Sequence, residues 1–237
     1  MLYYLPLYFE TAKQLTPIEA GVALFPQTFT VAPASLAVGV LVSNIGHYRW
    51  AIWSGWVLTT LGMGLMYTLD MKSPTVAWVF PNIVSGLGTG ILFPSTSFAI
   101  QASCSDADVA YAVAMMTFLR ELGQSFGVAI GGIIFQNSFK SRLLRLPSVA
   151  THAVEYSTNA VALVQIIRSM PDALPEREQI VGAYVDSLRI VWISICAFAF
   201  VGLLSSLVTE ELPLDREHEP EQGFVHRASL RNCQTHH

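Results

Sequence analysis

The chain has 237 residues, 52% of them hydrophobic and only 13% charged, with a formal net charge of -4 and a mean hydropathy of +0.47. Soluble domains carry about 25% charged residues, so this balance excludes an ordinary soluble domain. Without a basic arm interleaved with aromatics it also excludes a nucleic-acid partner. Cys104, Cys196 and Cys233 lie far apart and the histidines are scattered, so no metal, cofactor or disulfide framework is expected.

Five stretches run nearly uncharged for about twenty residues or more, enough to cross a hydrocarbon core about 30 Å thick. The expected fold is an all-α, multi-pass membrane protein. The opening segment, Leu2-Tyr3-Tyr4-Leu5-Pro6-Leu7-Tyr8-Phe9, has no basic leader region and is too short to span, so it reads as the tail end of a helix, an N-terminal stub. Thr16-Pro17-Ile18-Glu19 then has the form of a capping box with proline at the first helical position. The first full span follows over 20–42, with kinks expected at Pro26 and Pro33.

A polar connection over 43–49 leads into a second span over 50–69, where Trp50, Trp53 and Trp56 resemble an interfacial aromatic belt. The third span, 75–102, contains Pro81, Pro94 and the glycines Gly86, Gly88 and Gly90. These are not a dinucleotide fingerprint, since Ile91 stands where the third glycine belongs and no strand precedes it. Close helix packing or a hinge is their expected role. The fourth span, 107–135, places Gly123, Gly127 and Gly131 four residues apart, one stripe on which another helix can approach. A polar loop outside the membrane is expected over 137–186, with a short amphipathic helix at 160–168 and a turn at Pro171 and Pro175. From Glu176 a continuous helix through Tyr184 and Arg189 should feed the fifth span, 190–208, and residues 211–237 read as a disordered polar tail.

Arg120 is the leading candidate for substrate binding, because a charge near the bilayer interior costs at least about 2.5–3.5 kcal/mol and normally faces a cavity or a partner. Gln124 lies one turn on, on the same face. The structural alternative for Arg120 is snorkelling or an interhelical pair. Glu121 points about 100° away and so need not pair with Arg120. As the carboxylate well inside a span, it is the proton-coupling candidate. Asn82, with Gln27, Thr28, Thr30 and Ser85, either lines a substrate path or makes interhelical hydrogen bonds. Met115, Met116, Phe118 and Phe126 form either an adaptable apolar pocket or plain packing. No Ser/His/Asp set, histidine box or paired carboxylates occur within the spans, so an enzyme is not expected.

Taken as a series, Tyr3 to Phe9, Ala20-Gly21-Val22 with Pro26, Gly46-x-Tyr48-Arg49, Gly86 to Gly90 with Pro94, and Arg120-x-Leu122-Gly123-x-Ser125-x-Gly127-x-Ala129 resemble the C-terminal half of major facilitator superfamily transporters. The likeness covers residues 1–210 and is strongest to the fungal fourteen-helix drug:proton antiporter branch. It implies a C-terminal helical bundle whose first helix is the stub and whose other five are the full spans. It also implies proton-coupled efflux of small amphipathic molecules such as drugs or secondary metabolites, hence multidrug resistance, at the plasma membrane or, alternatively, the vacuolar membrane. The family pattern fixes Arg120, Leu122 and Gly123 but not Glu121. Alternating access needs two bundles around a shared site, so the expected partners are membrane lipid, a small hydrophobic or amphipathic substrate, and an N-terminal half or partner subunit. The alternative is a truncated, transport-inactive remnant.

Orientation draws two opposing arguments. Lys13, Lys72, Lys140, Arg142, Arg145, Arg168 and Arg177 share one side, against Arg49, Arg216, Arg227 and Arg231 on the other, so the positive-inside rule places the long loop in the cytoplasm. The resemblance implies the reverse, loop outside and tail inside. The resemblance is preferred, because the rule is weakest where a long loop carries most of the charge.

Overall fold

The computed structural model describes residues 3–71, 73–105, 107–146, 149, 156–157, 160–170, 175–210 and 212, all of it helix and connection. The helices are α1 (Tyr4–Ala12), α2 (Pro17–Ala23), α3 (Phe25–Ile45), α4 (Arg49–Met66), α5 (Thr75–Ser103), α6 (Val109–Leu143), α7 (Ala160–Ser169) and α8 (Pro175–Leu207). The tail expected to be disordered lies outside the described residues, Leu212 apart. Among the described residues, four helices are long and apolar enough to cross a membrane: Pro17–Ile45, Thr75–Ser103, Val109–Leu143 and Glu176–Leu207. The expected second span is helical too, but α4 has only 18 residues. Arg49 and three tryptophans dilute its hydropathy, and it is not one of the four.

Local chemistry accounts for the first helix boundary. The Thr16 hydroxyl accepts from the Glu19 amide at 3.3 Å, and the Glu19 carboxylate accepts from the Thr16 amide at 2.8 Å, a reciprocal capping box with Pro17 just inside. The kink expected at Pro26 appears as a break at Leu24, where α2 ends and α3 begins. Proline cannot donate to the carbonyl four residues back and its ring crowds that position, so the chain re-nucleates with Gln27 and Thr28 both donating to the Leu24 carbonyl. Pro33 sits inside a continuous α3. Gly46, at φ 74°, closes α3 in the left-handed conformation that glycine adopts freely.

Close approach, not bulk burial, joins α3, α4 and α5. A Cβ on Gly86 would stand 2.7 Å from the Gln27 carbonyl oxygen, and one on Gly90 2.7 Å from that of Val31. On the opposite side of α5, Gly88 meets Thr59, while Gly62 of α4 meets Ser85 at 2.7 Å. In lipid, where apolar transfer drives no association, such backbone contact maximises dispersion between helices. The glycine run therefore wedges α5 between two neighbours. Trp53 and Trp56 also differ from the belt expected of them. The Trp53 indole donates to the Ser206 carbonyl at 3.0 Å, and Trp56 lies where a Cβ on Gly202 would be, 2.6 Å away, so both pack against α8.

The larger apolar core among the described residues surrounds α1. Leu5, Tyr8 and Phe9 are fully buried against Phe139, Trp192 and Tyr184, with Tyr8 edge-on to Trp192 at 5.7 Å. α6 runs eight residues past the expected end at 135, because Phe139 and Leu143 continue its buried face into this core. The loop expected over 137–186 thus narrows to the connection between Leu143 and Pro175. Within it, α7 lays Leu163 and Ile167 onto the same core.

One end of the bundle is bound by charge. Asp186 receives Arg142 at 2.9 Å and Arg189 at 3.0 Å, and Arg189 also donates to the Leu69 carbonyl at 2.9 Å. The Lys13 ammonium donates to the carbonyls of Met71 (2.9 Å) and Ser73 (2.6 Å). Burial holds its pKa below the ordinary lysine value, with Asp70 pulling the other way. The ends of α1, α4 and α6 and the first half of α8 therefore share one polar layer.

Candidate functional site

A cavity of about 820 Å³ lies near the middles of α5, α6 and α8, beside the first turns of α3, and is partly open. Its volume falls in the range of a drug-sized site, about 300–1,000 Å³. α6 supplies the least covered wall, since residues 121–130 are all exposed. Gly123, Gln124 and Gly127 lie on it, and Thr28 of α3, Phe93 of α5, and Ser194 and Phe198 of α8 contribute to the remaining walls. Among the described residues no charged side chain lines the cavity.

Most of its hydroxyls are already committed. Thr28 donates to the Leu24 carbonyl at 3.0 Å, Thr89 to that of Ser85 at 2.9 Å, and Ser194 to that of Ile190 at 2.9 Å. Tyr4 donates across to the Val128 carbonyl at 2.7 Å. Gln124 makes no hydrogen bond among the described residues, which leaves both ends of its amide available.

The residues singled out from sequence do not all meet. Gln124, Gln27 and Thr28 line the cavity, and so does Phe126, whereas Met115 and Phe118 are exposed away from it. Arg120 stands outside, its guanidinium 5.2 Å over the Phe93 ring whose body lines the wall. Contrary to the angular argument, Arg120 and Glu121 do pair, at 3.2 Å, because a long guanidinium stem on an exposed face folds sideways along its own helix. Asn82 is fully buried away from the cavity, with neither amide atom hydrogen-bonded. Ser85 donates to the Asn82 backbone carbonyl at 3.1 Å, and Thr30 to the backbone carbonyl of Pro26.

The glycine stripe of α6 splits. A Cβ on Gly131 would meet the Tyr4 hydroxyl at 2.8 Å, but at Gly123 and Gly127 nothing lies within 4 Å. Sequence reasoning missed Thr89, Phe93, Ser194 and Phe198. Thr89 stands inside the glycine run, which was a usable signal, while Phe198 is one apolar residue among many in its span. Among the described residues no group of three His, Cys, Asp or Glu could hold a metal ion.

No family model matches the chain, and no solved structure matches it. Curated proteins do. "MFS transporter L2" of a Phoma species is 47% identical over 234 residues, covering 99% of this chain and 39% of that protein. "Efflux pump FUS6" of Gibberella fujikuroi is 34% identical over 224 residues, covering 94% and 40%. The "Acurin A biosynthesis cluster MFS-type transporter" of Aspergillus aculeatus is 34% identical over 228 residues, covering 94% and 41%. The chain thus spans about two fifths of the length of the relatives it matches.

Proposed function

The chain belongs to the major facilitator superfamily, matching one part of a longer transporter, and from that premise we propose that it forms the C-terminal half-bundle of a proton-coupled exporter of small amphipathic molecules. The observation that carries this is the mid-helix cavity of about 820 Å³ on the least covered face of the bundle. A transporter holds its cargo between two bundles near the midplane. An open apolar cavity at that depth is one wall of such a site. The efflux and biosynthesis-cluster names of the relatives support a secondary metabolite as cargo; export across the plasma membrane is part of the same proposal.

In this reading Gln124 contacts cargo directly. Arg120 borders the site behind Phe93, where its charge, balanced by Glu121, orients the polar end of an amphipathic molecule. Glu121, paired with Arg120, is the proton-coupling carboxylate. Asn82 supplies an interior amide whose unmet hydrogen bonds are costly unless a moving helix or the cargo satisfies them.

The test is proton-driven efflux from proteoliposomes. Residues 1–237 alone should export nothing, and the same residues joined to the remainder of a full-length transporter should export. In that context Arg120→Ala and Gln124→Ala should abolish efflux while leaving the amount in the membrane unchanged, and Glu121→Gln should remove its dependence on the proton gradient. Loss of protein in the membrane would make Arg120 structural. Robust efflux by the 237 residues alone would refute the half-bundle assignment, and no efflux even when joined would favour an inactive remnant.

A further inference from the structure

Resting on the cavity reading above, we propose that Gly123 and Gly127 set the size of molecule the cavity accepts, forming a recess in its α6 wall that receives the apolar body of the cargo while Gln124 meets its polar group. The stripe they share with Gly131 would ordinarily mark a helix-packing seam. Here the seam is used at one end only. Gly131 is filled by Tyr4, whose ring atoms stand 2.8–3.0 Å from where a Cβ would be, and the Tyr4 hydroxyl is anchored on the Val128 carbonyl at 2.7 Å. That anchor ends the packed part of the seam. One and two turns earlier, at Gly127 and Gly123, the space is open and belongs to the cavity.

Two consequences follow from the absence of side chains there. The cargo reaches the α6 backbone itself, so its apolar surface is matched over a wider area than any Cβ-bearing residue permits. A side chain added at either glycine would point into the cavity and displace the cargo, not another helix. Gln124 lies between them in sequence and on the same wall, with its amide uncommitted while the neighbouring hydroxyls are held by their own helices. The cargo group that Gln124 meets beside the recess is therefore a carbonyl or hydroxyl carried next to an apolar body.

Benzophenone fits that description, being uncharged, apolar and carbonyl-bearing, and it cross-links where it binds. The 237-residue chain in lipid nanodiscs is irradiated with increasing benzophenone, and labelled peptides are quantified by mass spectrometry. Saturable labelling of the α6 segment around Gly123 and Gly127 is expected. Gly127→Phe should lower it by on the order of tenfold, the effect of a few methylene-sized groups in a pocket, with the thermal unfolding midpoint unchanged. Gly123→Leu provides a second variant with the same expectation. Saturable α6 labelling that is indifferent to both substitutions would overturn the recess while leaving the cavity assignment standing. No saturable labelling of the unsubstituted chain would overturn both.

Discussion

A Cβ built on Gly88 would stand 2.4 Å from the backbone nitrogen of Thr59, so α4 and α5 meet there backbone to backbone. Gly88→Ala must then push the two helices apart, which by analogy with overpacked cores costs about 1–3 kcal/mol. Thermal unfolding in detergent should show a lower midpoint for Gly88→Ala and no loss for Gly21→Ala, where nothing lies within 4 Å. Equal midpoints for the two variants would contradict the seam.

Asp186 faces two cations, Arg142 and Arg189, at 2.9 and 3.0 Å. All three side chains are partly solvent-exposed, so each pair contributes at most about 1 kcal/mol, and that contribution is screened by salt. The unfolding midpoint of the unsubstituted protein should therefore fall between about 0.05 and 1 M NaCl, while Asp186→Asn starts lower and changes less. Parallel salt curves would show that the cluster contributes nothing to stability.

The capping box at the start of α2 is a local device with a local readout. Thr16→Ala removes an acceptor for the Glu19 amide and should cost about 0.5–2 kcal/mol. Hydrogen exchange should accelerate at Glu19 and Ala20 while α5 is unaffected. Protection that stays the same in the first turn of α2 would mean that tertiary contacts, not the cap, hold that end.

Orientation is decided by Cys233, which lies in the tail. In a chain whose other cysteines, Cys104 and Cys196, are replaced by alanine, an impermeant maleimide should label Cys233 only after permeabilisation, placing the tail inside and the loop between α6 and α8 outside. Prompt labelling of intact cells would reverse this and vindicate the count of lysines and arginines.

Much of the fold was legible in the sequence because membrane helices announce themselves in one dimension. Length and hydropathy located the long helices, four of them apolar enough to cross a membrane, and the helix over 176–207 emerged within a residue of its expected start. The Thr16 box was legible for the same reason, since its partners are three residues apart. The end of α6 was not, because Phe139 and Leu143 stand in a stretch that is polar on average and are helical only by virtue of the core they enter.

The site was legible only in part. Arg120 and Gln124 share a face by periodicity, yet Gln124 reaches the cavity and Arg120 stops behind Phe93. Asn82 and Gln124 are both polar residues within apolar helices, and one is sealed between helices while the other borders open space.

The sequence by itself determined the class of the protein, the place of its helices and the positions where helices are able to approach closely, since hydropathy, period and residue size are properties of the chain alone. Only the tertiary structure decided which of those positions are occupied. Gly123, Gly127 and Gly131 are equivalent by spacing, but Gly131 is filled by Tyr4 from 127 residues away in the chain, and the other two are left open to the cavity. A glycine has no side chain to record what stands opposite it, so its role is fixed by the neighbouring helix, and that neighbour is set by the packing of the whole bundle.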